Sequence, residues 1–301
     1  SLRAVFYAPY YAALALKAYE DEGVDVTFMP AAPPGHAAHG RLDGSVDVVW
    51  VGPMRVMQTY AQEPDCDLVC FGEVVTRDPF MIVGGTPKPE FVPSDLLGLR
   101  VATVSEVPTP WMCLQEDLRR AGQDPAKLDR VAHGSMSENA EALRRGEIDA
   151  AQLFEPFATE LLETGAGHVW YAQAQRGPTC YTTLYARKPV LAAKREAFVR
   201  MVRAIFRTQN WFHEAGSQRI AEVIQPYFPD MPRQRLAAAI ERYKALGIWG
   251  QDPIVSRSGY DRLRASLVSG SFVADGVPFE AAADNSLAEE VIRQAPPALK
   301  A

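Results

Sequence analysis

Hydrophobic positions along the chain fall into short apolar runs that alternate with stretches of helical spacing. Leu2–Phe6 is apolar and β-prone, and Tyr7-Ala8-Pro9-Tyr10-Tyr11 breaks it. Leu14, Leu16 and Tyr19 share one helical face between Ala12 and Glu22, and Gly23 stops that helix. Val24–Met29 alternates like a strand, Pro33-Pro34-Gly35 reads as a loop, and His36–Leu42 as a short helix closed by Gly44. Val46–Val51 has the continuous apolar character of a buried strand, ended by Gly52-Pro53.

The same order recurs. Leu99–Val104 predicts a strand, Ser105–Pro110 a loop, and Trp111–Ala121 a helix with Trp111, Leu114, Leu118 and Ala121 at helical spacing before Gly122. Asp124-Pro125 turns the chain into a strand at Val131-Ala132-His133. Ser135 and Glu138 stand at capping-box spacing before the helix Asn139–Arg145. Ile148–Phe154 predicts the next strand, and Glu155-Pro156 opens another helix. Leu2-Arg3, Gly23 and Gly44-x-Val46-Asp47 recur as Leu99-Arg100, Gly122 and Gly146-x-Ile148-Asp149, at a spacing of about 100 residues. Two similar βαβαβ lobes account for that order, and right-handed crossovers imply parallel sheets covered by helices. Past Tyr185 the pattern turns helical, over Glu196–Ala215, Gln218–Tyr227 and Arg233–Leu246.

Composition narrows the class. The 301 residues suggest about two domains, and the net charge of −6 argues against a nucleic-acid binder. No apolar stretch approaches the roughly 18 residues needed to span a bilayer. Cys66, Cys70, Cys113 and Cys180 are too few for a disulfide scaffold, and Cys66-x3-Cys70 alone is a weak metal signal.

In doubly wound sheets, ligands bind outside the carboxyl ends of strands, beside helix N-termini. The loops at those ends hold Tyr10, Tyr11, His36, Gly52, Pro53, Ser105, Thr109, Trp111, Ser135, Phe154 and Glu155, which we take as the candidate ligand-binding set. Their aromatic share suits a flat ligand held by stacking. They contain no Lys or Arg, which tilts the expectation away from a strongly anionic ligand. Glu155 has two readings, an acceptor for an amine-like ligand edge or a carboxylate favoured by a helix N-terminus.

With these residues assembled, the chain resembles the substrate-binding proteins of bacterial ABC importers, in the branch for nitrate, sulfonate, taurine and thiamine-pyrimidine precursors. The resemblance rests on Ser94-Asp95-Leu96-Leu97-Gly98-Leu99-Arg100-Val101-Ala102, Leu143-Arg144-Arg145-Gly146-Glu147-Ile148-Asp149-Ala150, Phe154-Glu155-Pro156 and Val51-Gly52-Pro53. It implies an α/β fold of two βαβ lobes with mainly parallel sheets joined by a two-strand hinge, the type II periplasmic-binding arrangement. The crossings are expected near Gly84-Gly85 and Thr183–Ala186, so that residues 1–85 and 183–301 form lobe I and residues 86–182 lobe II. It further implies hinge closure on a small-molecule ligand, delivery to the transmembrane subunits of an ABC permease, and a monomer without cofactor or metal. A periplasmic or lipid-anchored extracytoplasmic location follows by the same resemblance, with a leader removed. The aromatic loops favour a thiamine-pyrimidine-precursor-like ligand, with a sulfonate, taurine-like or aromatic carboxylate anion as the alternative.

Two rivals use the same fold. A desulfinase-like or pyrimidine-synthase-like enzyme needs a nucleophile beside a base, for which Cys180 or Cys113 with His36 or His39 are the candidates. The desulfinases carry their cysteine in the first strand-end loop, where this chain has Tyr10-Tyr11. A metal at His36-x2-His39 lacks a third ligand.

Overall fold

The computed structural model describes residues 4–29, 46–63, 65–274 and 276–299. The strands are β1 (Val49–Val51), β2 (Leu68–Val75), β3 (Met81–Gly84), β4 (Arg100–Ala102), β5 (Asp129–Val131), β6 (Ala150–Leu153), β7 (His168–Ala172) and β8 (Thr182–Arg187). The first six helices are α1 (Ala8–Ala15), α2 (Ala18–Asp21), α3 (Met54–Gln62), α4 (Thr109–Arg120), α5 (Met136–Arg144) and α6 (Phe157–Glu163). The rest are α7 (Lys188–Ala193), α8 (Arg195–Glu214), α9 (Ser217–Ile224), α10 (Arg233–Ala245), α11 (Arg257–Ser269), α12 (Phe279–Ala282) and α13 (Ser286–Gln294).

The strands form two sheets, β1-β8-β2 and β5-β4-β6-β3-β7. Strand β4 runs parallel to β5 and β6, whereas β3 runs antiparallel to β6 and β7, and β8 antiparallel to β1 and β2. The α/β class and the two-sheet division agree with expectation, but the described pairings are mixed rather than mainly parallel. Neither Leu2–Phe6 nor Val24–Met29 contributes a strand among the described residues. Val5–Tyr7 is a 3-10 turn leading into α1, where Pro9 stands in the first turn and alanines follow. That composition favours helix over strand. The predicted helix His36–Leu42 lies outside the described residues.

The chain leaves the first sheet after Val75 and enters the second at Met81, and it returns between Ala172 and Thr182. The crossings are therefore 76–80 and 173–181, not Gly84-Gly85 and Thr183–Ala186. Gly84 closes β3, and its glycine has a packing cause: a Cβ there would lie 1.9 Å from the Trp170 ring. Thr183–Ala186 are paired within β8 to strands on both sides.

The crossings are held by buried charge. Arg176, on the returning segment, donates to Asp78 on the outgoing one at 2.6 Å and through Nε to Asp117 of α4 at 3.1 Å, with a second, shorter bond from Nη2 to Asp117. The Arg176 side chain is 5% exposed and that of Asp78 is 0%. Gln152 of β6 adds a neutral tie, donating to the carbonyl of Pro110 and to Gln173 at 2.8 Å each.

The first sheet buries a carboxyl of its own. Glu73 of β2 accepts the Ser256 N–H at 2.7 Å, and the Cys180 thiol lies beside it. Burial is the main cause that pushes this carboxyl up to about 8 from 4.5.

Two predictions follow from these groups. Arg176→Met leaves Asp78 buried without its countercharge, so urea unfolding should show a loss of about 3–5 kcal/mol. The double variant with Asp78→Asn should recover part of that loss. At Glu73 the folded protein keeps a proton that the unfolded chain releases above about 4.5, so stability falls as pH rises from about 4.5 towards about 8. Urea midpoints taken between pH 5 and pH 8 should show this slope in the wild type and a shallower one in Glu73→Gln. Equal slopes would contradict the assignment.

Candidate ligand cleft

The carboxyl ends of β1 and β6 meet the first turn of the chain and the returning crossing in one aromatic seam. Phe6 packs edge-on against Phe154, just past β6, at 5.3 Å, and against Tyr181 at 6.2 Å. Phe80 closes the far side, edge-on to Phe154 at 5.1 Å and tilted against Tyr181 at 6.3 Å. On the near side Tyr7 touches Phe6, Tyr10 follows Tyr7, and Trp50 of β1 stacks on Tyr10 at 4.7 Å with 11° between planes. Phe28 stacks on Trp50 at 5.0 Å and is 39% exposed. The rings thus run continuously from the first sheet, through Phe6 and Tyr181, to Phe154 in the second.

Within this apolar seam two polar atoms are buried without a hydrogen-bond partner, the hydroxyls of Tyr10 and Tyr181. Each such group costs about 1–3 kcal/mol, a cost that native interiors rarely carry in a cluster. Burial pushes both phenols well above their ordinary range, so Tyr10 and Tyr181 are neutral donors at physiological pH. Gly52 lies against this segment, and a Cβ there would stand 3.2 Å from the Tyr181 carbonyl oxygen. Close backbone approach explains the glycine.

The candidate residues separate into two groups. Tyr10, Gly52 and Phe154 come together at the seam. Pro53 is buried beside Gly52 at the start of α3. Tyr11, which like Tyr10 lies in α1 rather than on a strand-end loop, touches Trp50 edge-on at 6.0 Å on one side and stacks on Tyr227 at 4.9 Å on the other. Trp111 packs inside the second lobe with Ile82, Val101 and Leu114, and the Arg130 guanidinium lies 4.2 Å over its ring. Its helical spacing with Leu114 and Leu118 is that of a core face. Ser135 caps α5 by accepting the Glu138 N–H at 3.3 Å, and Glu138 accepts the Ser135 N–H at 2.7 Å. Thr109 is buried at the start of α4, and Ser105 is exposed on the loop before it. His36 lies outside the described residues.

Glu155 is fully buried, with both oxygens engaged: Oε2 accepts the Thr159 N–H at 2.9 Å and Oε1 accepts Arg242 Nε at 2.7 Å. Of its two readings, the structure favours the helix-terminal carboxylate. Of the missed seam residues, Phe6 and Trp50 stand in apolar runs and Phe80 and Tyr181 in crossings that strand-end reasoning passes over, while Tyr7 stands in the same loop as Tyr10. The available signal was Trp50, a lone bulky ring in the valine run ending at Gly52.

Among the described residues no group of three His, Cys, Asp or Glu side chains is placed to hold a metal. All four cysteines are free thiols. Burial pushes Cys70 and Cys113 up to about 12 and Cys180 well above its usual range, which keeps these thiols protonated and poorly nucleophilic. No helix among the described residues is long and apolar enough to cross a membrane.

Comparison with known proteins places this geometry. Over 289 residues the chain is 24% identical to YtlA of Bacillus subtilis strain 168, a binding protein by description, covering 95% of this chain and 86% of that protein. The fold matches that of the periplasmic aliphatic sulphonate binding protein SsuA from Escherichia coli with a TM-score of 0.72 at 17% identity, over 92% of this chain and 94% of that one. It also matches the desulfurization enzyme DSZB with a TM-score of 0.68 at 12% identity, over 95% and 96% of the two chains. Residues 6–216 match the family described as NMT1/THI5 like. The protein belongs to the NMT1/THI5-like family.

Proposed function

We propose that this protein is the extracytoplasmic binding component of an ABC importer, and that it captures a small ligand bearing a flat ring in the seam between its sheets. The observation that carries this reading is the buried, unpartnered Tyr181 hydroxyl among rings contributed by both sheets. A planar ligand inserted between Phe6 and Phe154 replaces their edge contact with stacking and gives the Tyr181 O–H an acceptor. An aminopyrimidine of the thiamine-precursor type has that shape and offers ring nitrogens as acceptors. Opening and closing about the segments 76–80 and 173–181 admits the ligand, and the closed form is what the permease recognises.

YtlA and SsuA, both binding proteins by description, support this reading over the enzyme represented by DSZB. The protonated, buried state of the Cys180 thiol beside Glu73 supports it as well, because acyl or sulfinyl transfer needs a thiolate.

Tyr181→Phe separates ligand binding from structure. Removing an unpartnered hydroxyl should leave the melting temperature of the ligand-free protein unchanged or raised, while calorimetry shows affinity for an aminopyrimidine reduced about 3- to 10-fold. Native mass spectrometry of the protein as purified should show a small ring compound at one per chain. Turnover of a sulfinate, or unaltered affinity in Tyr181→Phe, would overturn the reading.

A further inference from the structure

We propose that Glu73 is a proton-operated latch on the returning crossing: with its proton in place the crossing stays clamped between β2 and α11, and loss of the proton releases the clamp.

Three fully buried carboxyls stand among the described residues, and two of them have a cation. Asp78 has Arg176 at 2.6 Å, and Glu155 has Arg242 at 2.7 Å. Glu73 has none. Its Oε2 accepts the Ser256 N–H at 2.7 Å, and its Oε1 has no hydrogen-bond partner. A carboxyl buried without a countercharge holds its proton, because desolvation penalises the ionised form. The groups around it supply no compensation. Cys180 on the crossing, Cys70 on the same strand and Tyr10 of α1 are neutral at physiological pH, Thr183 opposite on β8 is uncharged, and Asp252, ahead of α11, has the same sign. The rise of this carboxyl to about 8 agrees with that setting.

Glu73 stands where three elements meet. It lies on β2, in a strand whose register against β8 shifts on either side of it. Through Ser256 it holds the start of α11, where the Ser256 hydroxyl accepts the Gly259 N–H at 3.1 Å. Beside it lies the thiol of Cys180, near the end of the crossing. The crossing is pinned from both sides. Thr179 and Tyr181 donate their N–H groups to the Thr76 and Val75 carbonyls, at 2.8 and 2.9 Å. From α11, Arg262 donates to the Pro178 carbonyl at 2.9 Å, and a Cβ on Gly259 would stand 2.9 Å from the Cys180 nitrogen. Only glycine lets the helix approach so closely.

Ionisation divides these contacts. The bond from Ser256 gains, because its N–H lies at the positive end of α11. The crossing loses, because a bare carboxylate beside Cys180 needs water. Admitting water there parts Cys180 from α11, since Gly259 leaves no space between them. Tyr181 follows Cys180 in the chain, so the release acts on a ring of the seam, yet its test needs no ligand.

That test is hydrogen exchange of the full chain by mass spectrometry between pH 6 and pH 9, with rates corrected for intrinsic pH dependence. Opening releases a proton wherever the closed state keeps one. Protection of the segment 177–183 should therefore fall by up to about 10-fold per pH unit from pH 6 to about 8 and level off above it. Protection of α5 in the second lobe should stay level. Glu73→Gln keeps the neutral shape and should make the 177–183 profile flat; if it does not fold, the wild-type profiles of the two segments decide the matter. A flat wild-type profile at 177–183, or an unchanged slope in Glu73→Gln, overturns the latch. Slopes of equal size in 177–183 and α5 overturn it as well, because Glu73 then acts on global stability alone.

Discussion

The ion cluster at Arg176 is the constraint on which the rest of the architecture depends. Among the described residues two segments, 76–80 and 173–181, connect the two sheets, and Arg176 on one is bonded to Asp78 on the other and to Asp117 of α4. A buried pair of this kind adds little net stability over an apolar substitute, but its geometry is exacting. It fixes the spacing and twist of the crossings, and with them the position of Tyr181, five residues beyond Arg176 in the chain. The Phe80 N–H donates to Asp78 at 2.9 Å, so the same carboxylate that anchors the arginine also orients one ring of the seam. The crossings and the aromatic seam are built from the same few residues.

How much of this was legible in the sequence depended on whether the signal was local. The Ser135–Glu138 capping box needs only neighbouring residues, and it forms, with α5 starting directly after Ser135 at Met136, three residues before the predicted Asn139. The long helix α8 and helix α10 lie within a residue of the stretches predicted from apolar spacing. Where the outcome turned on distant partners, the reading shifted. Gly84-Gly85 has the composition of a crossing, yet Gly84 answers to Trp170 lying across it. Trp111 looked available at the head of a helix, and its face is spent on the core of its own lobe. Glu155 was open between two roles because Arg242, which engages it, stands 87 residues further along the chain. The seam itself was half visible: Tyr10, Gly52 and Phe154 were marked by strand-end position, but Tyr181 and Phe6 become neighbours only through tertiary folding.

The polar chemistry of the seam runs against stability. A tyrosine hydroxyl buried without an acceptor is worse for the isolated protein than a phenylalanine, and Tyr10 and Tyr181 both carry that cost. Residues that destabilise the fold and yet gather at one place are expected where a binding partner supplies the missing bonds. Other buried tyrosines do find acceptors: the Tyr260 hydroxyl donates to the Val277 carbonyl at 3.0 Å and the Tyr243 hydroxyl to the Pro79 carbonyl at 3.1 Å.

Closure of such a seam needs an element that belongs to one sheet's layer and touches the other, and α10 has that position. The Tyr243 hydroxyl donates to the Pro79 carbonyl in the outgoing crossing and accepts the Glu155 N–H at the end of β6. Arg242 pairs with Glu155, and Arg235 pairs with Glu160 and Glu163 of α6, so all the arginines in this contact stand on α10 and all the carboxylates on the second lobe. The outer pairs are partly exposed and worth about 0–1 kcal/mol each, too little to lock the lobes. Glu155 is different, because separating it from Arg242 leaves a buried carboxylate with only the Thr159 N–H. Rotation about the crossings that keeps Glu155 and α10 together is therefore favoured over one that parts them. On the opposite side of the seam Trp50 stacks on Tyr10 and Phe28 on Trp50, ring contacts that carry no such buried charge.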